Sequence, residues 1–175
     1  KGFHQVGPQW YYTDENGNKL LGLQKIDGKL YYLDNTWSVS SVTGFLAKDE
    51  VLSPEQKESS RYPHTSSSTI IKPKLYSYYY FDAETGAAVT NQFVNWKGNW
   101  YYFGKDGKAL LFDQVVNGQH LYFDYEGKQV KGDFVTDYKG TRYYDENSGE
   151  LVTNQTRTIN GVTYHFDENG RAKQL

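Results

Sequence analysis

The sequence predicts an all-β protein, a β-solenoid of stacked β-hairpins with a repeat of about 21 residues, and three observations carry that expectation. An aromatic motif closed by Asp recurs along the chain as Tyr11-Tyr12-Thr13-Asp14, Tyr31-Tyr32-Leu33-Asp34, Tyr79-Tyr80-Phe81-Asp82, Tyr101-Tyr102-Phe103-Gly104, Leu121-Tyr122-Phe123-Asp124, Arg142-Tyr143-Tyr144-Asp145 and Tyr164-His165-Phe166-Asp167. Successive copies end 20, 48, 22, 20, 21 and 22 residues apart, so five gaps share one period and one is long. Turn signals built on glycine accompany the motif at fixed offsets.

Taken in chain order, each unit reads strand, tight turn, aromatic strand, second turn. The tight turns are Asp27-Gly28, Lys97-Gly98, Asn117-Gly118, Lys139-Gly140 and Asn160-Gly161, with the glycine that a two-residue hairpin loop needs for positive φ. The second turns hold Gly17, Gly86, Gly107, Gly127, Gly149 and Gly170. Strands of about five residues alternate in facing, as in Gly98-Asn99-Trp100-Tyr101-Tyr102-Phe103. The first and third motif residues therefore point one way and the second the other, and one of the two sets is core. A lone hairpin is marginal in water, so the units must stack to bury their rings.

Residues 1–34 are expected to hold repeats one and two, 35–75 an irregular insertion, and 76–175 repeats three to seven of the same solenoid. The insertion is rich in Ser and Thr and carries three of the four prolines. Ser53-Pro54-Glu55 predicts a short helix, with Ser as N-cap and Pro in the first turn. A surface excursion, a degenerate repeat and a partner-contacting loop all remain open for this segment.

Composition narrows the function. The 17 Tyr, 9 Phe and 4 Trp replace much of the usual aliphatic content, yet the mean hydropathy is −0.80. Tyrosine joins an apolar body to a polar tip, which suits a half-wet binding surface as well as a core. A formal charge of −2 with dispersed Lys and Arg argues against nucleic acid as partner. No apolar run is long enough to insert in a membrane. Lys1-Gly2-Phe3-His4 does not read as a signal peptide, and a mature segment or fragment is expected. With no Cys, disulfides and thiolate chemistry are excluded.

No metal or other cofactor is expected. His4, His64, His120 and His165 lack ligand spacing, and the Asp-Glu-Asn-Gly strings at 14–17 and 167–170 read as turns instead of calcium loops. Turn carboxylates recur at every rung and do not converge on one cleft, so no catalytic residue is assigned.

Four repeats place an amide ten residues after the motif end, at Gln24, Gln92, Gln114 and Gln155. An amide donates and accepts at once and so matches vicinal sugar hydroxyls, while a neighbouring ring can stack on the C–H face of a pyranose. Duplicated strand-edge caps would give the same recurrence. The rings expected beside the amides are Trp10, Tyr12, Tyr80, Trp100, Tyr102 and Tyr143, with Tyr12 paired to Gln24, Tyr80 to Gln92 and Tyr102 to Gln114.

Segments such as Gly127-Lys128-Gln129-Val130-Lys131-Gly132 and Ile159-Asn160-Gly161-Val162-Thr163-Tyr164-His165-Phe166-Asp167 resemble the cell-wall-binding and glucan-binding repeats of Gram-positive bacteria, in particular the C-terminal repeats of glucansucrases from lactic acid bacteria. The resemblance implies pockets between neighbouring hairpins that bind α-glucan polysaccharide or oligosaccharide through a ring and a Gln. It also implies a secreted or cell-surface parent enzyme, whose catalytic domain is the other partner. Related repeats bind choline, but a choline cage wants several Trp per site, and four Trp across seven units are too few for a regular series. A choline- or cell-wall-binding anchor and a purely structural spacer are the remaining alternatives. Pockets are expected after the first, third and fourth units, then the sixth, and not after the second, which leads into the insertion, or the fifth, where Phe134 replaces Gln.

Overall fold

A computed structural model describes residues 1–34, 37, 38, 41, 42, 44–61 and 75–175; the rest of the expected insertion, including 62–74, lies outside the described residues. The elements in order are β1 (Gly2–Val6), β2 (Gln9–Thr13), β3 (Gly22–Ile26), β4 (Lys29–Asp34), β5 (Trp37–Ser38), β6 (Ser41–Val42), β7 (Phe45–Leu46), β8 (Glu50–Leu52), α1 (Pro54–Arg61), β9 (Tyr79–Phe81), β10 (Gln92–Trp96), β11 (Asn99–Phe103), β12 (Phe112–Val116), β13 (Gln119–Phe123), β14 (Asp133–Asp137), β15 (Gly140–Tyr144), β16 (Gln155–Ile159), β17 (Val162–Phe166) and β18 (Ala172–Gln174). They form separate two- and three-stranded sheets, most of them single hairpins. Contacts divide the chain into two compact units, Lys1–Trp96 with Tyr102–Ala109, and Lys97–Tyr101 with Leu110–Leu175.

The hairpin loops form as their dipeptides require. Asp27 and Gly28, Lys97 and Gly98, Asn117 and Gly118, and Asn160 and Gly161 all take positive φ, the signature of a type I′ turn whose twist matches the flanking strands. The Lys139-Gly140 turn differs. There Asp137 pairs with Gly140, so Tyr138 and Lys139 make the loop and Gly140 opens β15. The Asp137 carboxylate accepts from the Lys139 N–H at 2.9 Å and from Arg142 Nη1 at 2.7 Å, which fixes this alternative.

The motif Asp residues are turn formers. Asp14 Oδ1 accepts from the N–H groups of Asn16 and Asn18, and Asp167 Oδ1 from those of Asn169 and Arg171, at 2.8–2.9 Å. Asp82, Asp124 and Asp145 bind their own turns in the same way. Where Gly104 replaces the Asp, Asp106 Oδ1 takes over and accepts from Lys108 N–H at 3.0 Å. These backbone donors hold the carboxyls of Asp14, Asp82 and Asp145 below the usual carboxylate range, with Arg157 adding to the effect at Asp145.

Burial resolves the two faces of the motif. The third residue is the core column: Leu33, Phe81, Phe103, Phe123 and Phe166 are 0% exposed and Tyr144 1%. The second residue is also structural, because its ring leans on the third-position ring of the following repeat. Tyr32 meets Phe81 with centroids 6.2 Å apart, Tyr80 meets Phe103 at 6.3 Å, Tyr122 meets Tyr144 at 5.6 Å and Tyr143 meets Phe166 at 6.3 Å. Backbone hydrogen bonds stitch the same neighbours. The segment after each motif donates to its own hairpin, as Val89 to Tyr80 and Val152 to Tyr143, and to the preceding one, as Ala88 to Leu30 and Leu151 to His120.

The long gap holds the connecting segment and the first strand that a repeat requires. Residues 44–47 return to the position of a connecting segment, with Leu46 and Phe45 paired to Leu33 and Asp34 and Ala47 N–H donating to Tyr32 O. β8 then pairs with β9 as the first strand of the third hairpin. The helix begins as expected: Ser53 is buried, its Oγ accepts from Gln56 N–H at 3.4 Å, and Lys57 ties it to Asp34 and Glu50.

Candidate functional site

Viewed along the strands, the ten-residue spacing of the amides conflates two positions. Gln24 and Gln114 are third in their strands, opposite Tyr31 and Leu121, whereas Gln92 and Gln155 open theirs. The cause is two extra residues between motif end and strand: one in the turns closed by Gly86 and Gly149, which lie four residues beyond the motif end where Gly17 and Gly107 lie three, and one more in the bend that follows.

The two classes do different work. Gln24 Nε2 donates to Leu21 O, and Gln114 Nε2 to Leu111 O, each at 2.7 Å, so these amides clamp the bend before the strand. Gln155 donates to Thr153 O at 3.3 Å and accepts from Arg157 Nε at 3.0 Å. Gln92 is exposed and lines a cleft of about 730 Å³ with Lys25, Lys29, Leu30, Lys105 and Asp106.

The expected rings also divide. Tyr12 and Tyr143 are buried in core clusters and offer little surface to a ligand. Tyr80 is engaged twice, against Phe103 and through its hydroxyl to Asp49 Oδ1 at 2.7 Å; burial and that carboxylate push its phenol up to about 12. Tyr102 packs edge-on against Phe93, centroids 4.8 Å apart. No contact joins Tyr12 to Gln24 or Tyr80 to Gln92 among the described residues.

Trp10 and Trp100 stand apart. Each precedes its motif by one residue and receives a lysine from a later segment: Lys48 Nζ lies 5.6 Å from the Trp10 ring centroid and Lys131 Nζ 5.4 Å from that of Trp100. Trp100 is 39% exposed. Its carbonyl accepts from Gln129 N–H at 2.7 Å, which joins the segment carrying Gln129 and Lys131 to the strand of Trp100, and Lys131 Nζ also donates to Asn147 O at 3.2 Å. Gly149 leaves room beneath them, since a Cβ there would collide with the Gln129 amide and press on the Lys131 stem. Gly86 underlies Leu46 in the same manner, so Leu46 and Lys48 are the counterparts of Gln129 and Lys131 at Trp10.

Leu30 and His120 occupy the place of the tryptophan in two other repeats. The cleft at His120, about 600 Å³, is walled by Asp113, Lys139, Arg142, Leu151, Thr153 and Arg171 and has no large ring. Of this group, the sequence reading names the two tryptophans and not Lys48, Gln129 or Lys131. The lysines come from chain segments more than 30 residues downstream, and Lys48 lies inside the stretch set aside as an insertion.

Comparison with known proteins agrees with this repeat architecture. A choline-binding repeat model matches residues 114–155, and a putative cell wall binding repeat model matches 1–19, 22–36, 91–109 and 157–172. Glucosyltransferase-I of Streptococcus downei is 34% identical over 166 residues, covering 94% of this chain and 9% of that protein. Glucosyltransferase-S of Streptococcus mutans is 34% identical over 204 residues, covering 94% and 14%. The chain thus spans about a tenth of the length of these relatives. Among solved structures, CbpJ of Streptococcus pneumoniae superposes with a TM-score of 0.65 at 22% identity, over 98% of this chain and 48% of that one. Choline binding protein F of the same species gives 0.63 at 19%, over 99% and 52%. The fold is shared with both, and the chain belongs to the family of choline-binding and putative cell-wall-binding repeats.

Proposed function

We propose that this chain is a noncatalytic α-glucan-binding module, accessory to a secreted or cell-surface glucosyltransferase, with its hairpins running on as a β-solenoid. The observation that carries the reading is the Trp100, Gln129 and Lys131 group, with Trp10 and Lys48 repeating its ring and cation. An exposed indole presents an apolar face to the C–H side of a glucose ring, and an ammonium and an amide at its rim suit the hydroxyls. The similarity to glucosyltransferases over nearly the whole chain supports the same ligand class.

A cationic ligand fits less well, because a lysine ammonium already faces each of these tryptophans. Affinity electrophoresis in gels with and without dextran tests the proposal, with choline as competitor. Retardation by dextran that choline leaves unchanged is expected. Unretarded migration at high dextran loading would overturn the reading. One pocket buries little sugar, so polymer spanning several repeats should bind more tightly than isomaltotriose through effective concentration.

A further inference from the structure

The sequence holds four Asn-Gly pairs, Asn16-Gly17, Asn117-Gly118, Asn160-Gly161 and Asn169-Gly170, and the fold places them in two different settings. An Asn side-chain amide is open to attack by the backbone nitrogen of the residue that follows. Glycine is the least hindered such residue, because no Cβ shields its nitrogen and its backbone turns freely. Whether the attack proceeds in a folded chain depends on what holds that nitrogen.

In two of the pairs it is held. Gly17 N–H donates to Asp14 O at 3.1 Å and Gly170 N–H to Asp167 O at 3.0 Å. Their asparagines are fastened as well, Asn16 N–H to Asp14 Oδ1 at 2.8 Å and Asn169 N–H to Asp167 Oδ1 at 2.9 Å. Gly170 is also buried, with Leu151 crowding the place its Cβ would take. These nitrogens reach the side chain only after the turn gives up hydrogen bonds, each worth on the order of fivefold in population.

The other two pairs form the tips of β12–β13 and β16–β17, inside the closing pairs Val116↔Gln119 and Ile159↔Val162. Among the described residues, neither Gly118 N–H nor Gly161 N–H donates a hydrogen bond, and the Asn117 and Asn160 side chains make none. All four residues are exposed, and a Cβ on either glycine would meet nothing within 4 Å beyond its chain neighbours. The same tip accommodates an acid. Asp27-Gly28 makes the equivalent turn of β3–β4 with φ 49° and 81°, against 51° and 79° at Asn117-Gly118.

We infer that Asn117 and Asn160 are sites of spontaneous deamidation in the folded protein, and that Asn16 and Asn169 are protected by their turns. The glycine nitrogen gives up its proton and bonds to the Asn Cγ, the bond from Cγ to the amide nitrogen breaks, and ammonia leaves. Water then opens the resulting succinimide. Opening at one carbonyl gives Asp, the residue that the turn at Asp27 already holds; opening at the other gives isoaspartate, which adds a methylene to the backbone of the loop. Each event adds one negative charge at a hairpin tip.

The test is incubation of the whole chain at mildly alkaline pH, folded and in urea, with fragmentation mass spectrometry to assign acid formation to each Asn. Folded, Asn117 and Asn160 should convert roughly fivefold or more faster than Asn16 and Asn169, and in urea the four rates should converge. Folded rates at Asn16 or Asn169 that match or exceed those at Asn117 or Asn160 would overturn the inference. So would a spread that persists in urea, since flanking sequence and not the turn would then set the rates. The N117D/N160D double variant should melt within a few degrees of wild type, and a far lower midpoint would contradict the acceptance of the product by these turns.

Discussion

Trp100 and His120 occupy the same position in consecutive repeats, and their backbones are held alike. Gln129 N–H donates to Trp100 O at 2.7 Å and Leu151 N–H to His120 O at 2.9 Å. Glycine underlies the donor residue in both, Gly149 beneath Gln129 and Gly170 beneath Leu151. What differs is the side chains: Trp, Gln and Lys at one site, His, Leu and Thr at the other. The frame is a property of the repeat, and the proposed binding group is written onto it at three positions. Fold and proposed function should therefore be separable by mutation, because the frame uses backbone groups at these positions and the proposed site their side chains.

The strongest effect should fall on the frame. Phe123→Ala empties a fully buried place in the core column and should cost on the order of 3–5 kcal/mol, read in thermal or urea melts. Rungs on either side should loosen with it. A melt unchanged by this substitution would break the assignment of the third motif residue to the core.

The comparison is sharpened by moving the site. His120→Trp combined with Leu151→Gln and Thr153→Lys rebuilds the Trp100 group one repeat on, and dextran affinity should rise by roughly tenfold through the added point of attachment. A folded triple variant with wild-type affinity would show that the three residues do not suffice.

The amides give a smaller, paired effect. Gln114→Ala removes a part-buried bond to Leu111 O and should cost about 1 kcal/mol, whereas exposed Gln92→Ala should stay within about 0.5 kcal/mol. Equal costs in melts would place both glutamines in one role.

The turn carboxylates predict a pH dependence. Asp14, Asp82 and Asp145 have folded values below their unfolded one, and Arg142 with the Lys139 N–H holds Asp137 at about 2. Groups depressed in this way contribute fully above the unfolded value of about 3.9 and lose that contribution as pH falls through the folded value. The melting temperature should thus decline as pH drops from about 4 toward 2, and Asp145→Asn should flatten the curve. A midpoint insensitive to pH in that window would contradict the turn-forming role.

The period, the hairpins and the helix at Ser53 were legible because each rests on local chemistry: glycine at positive φ, Asp binding its own turn, Ser capping a helix. The facing of the motif was not. Alternation says that Tyr80 and Phe81 point apart, but only the stacking of one repeat on the next shows that both rings end up packed. The amide series misled for a related reason, since two residues added between motif and strand move the same numerical offset to a different place on the strand. Lys131 was invisible because its meaning depends on Trp100, a residue of another hairpin.

The central claim is that two tryptophans carry glucan binding while the fold stands without them. Trp10→Ala and Trp100→Ala, combined in one protein and run beside wild type in dextran affinity gels and thermal melts, test it directly. The double variant should migrate in dextran as it does without dextran while melting within a few degrees of wild type. A folded double variant retarded as strongly as wild type would contradict the account.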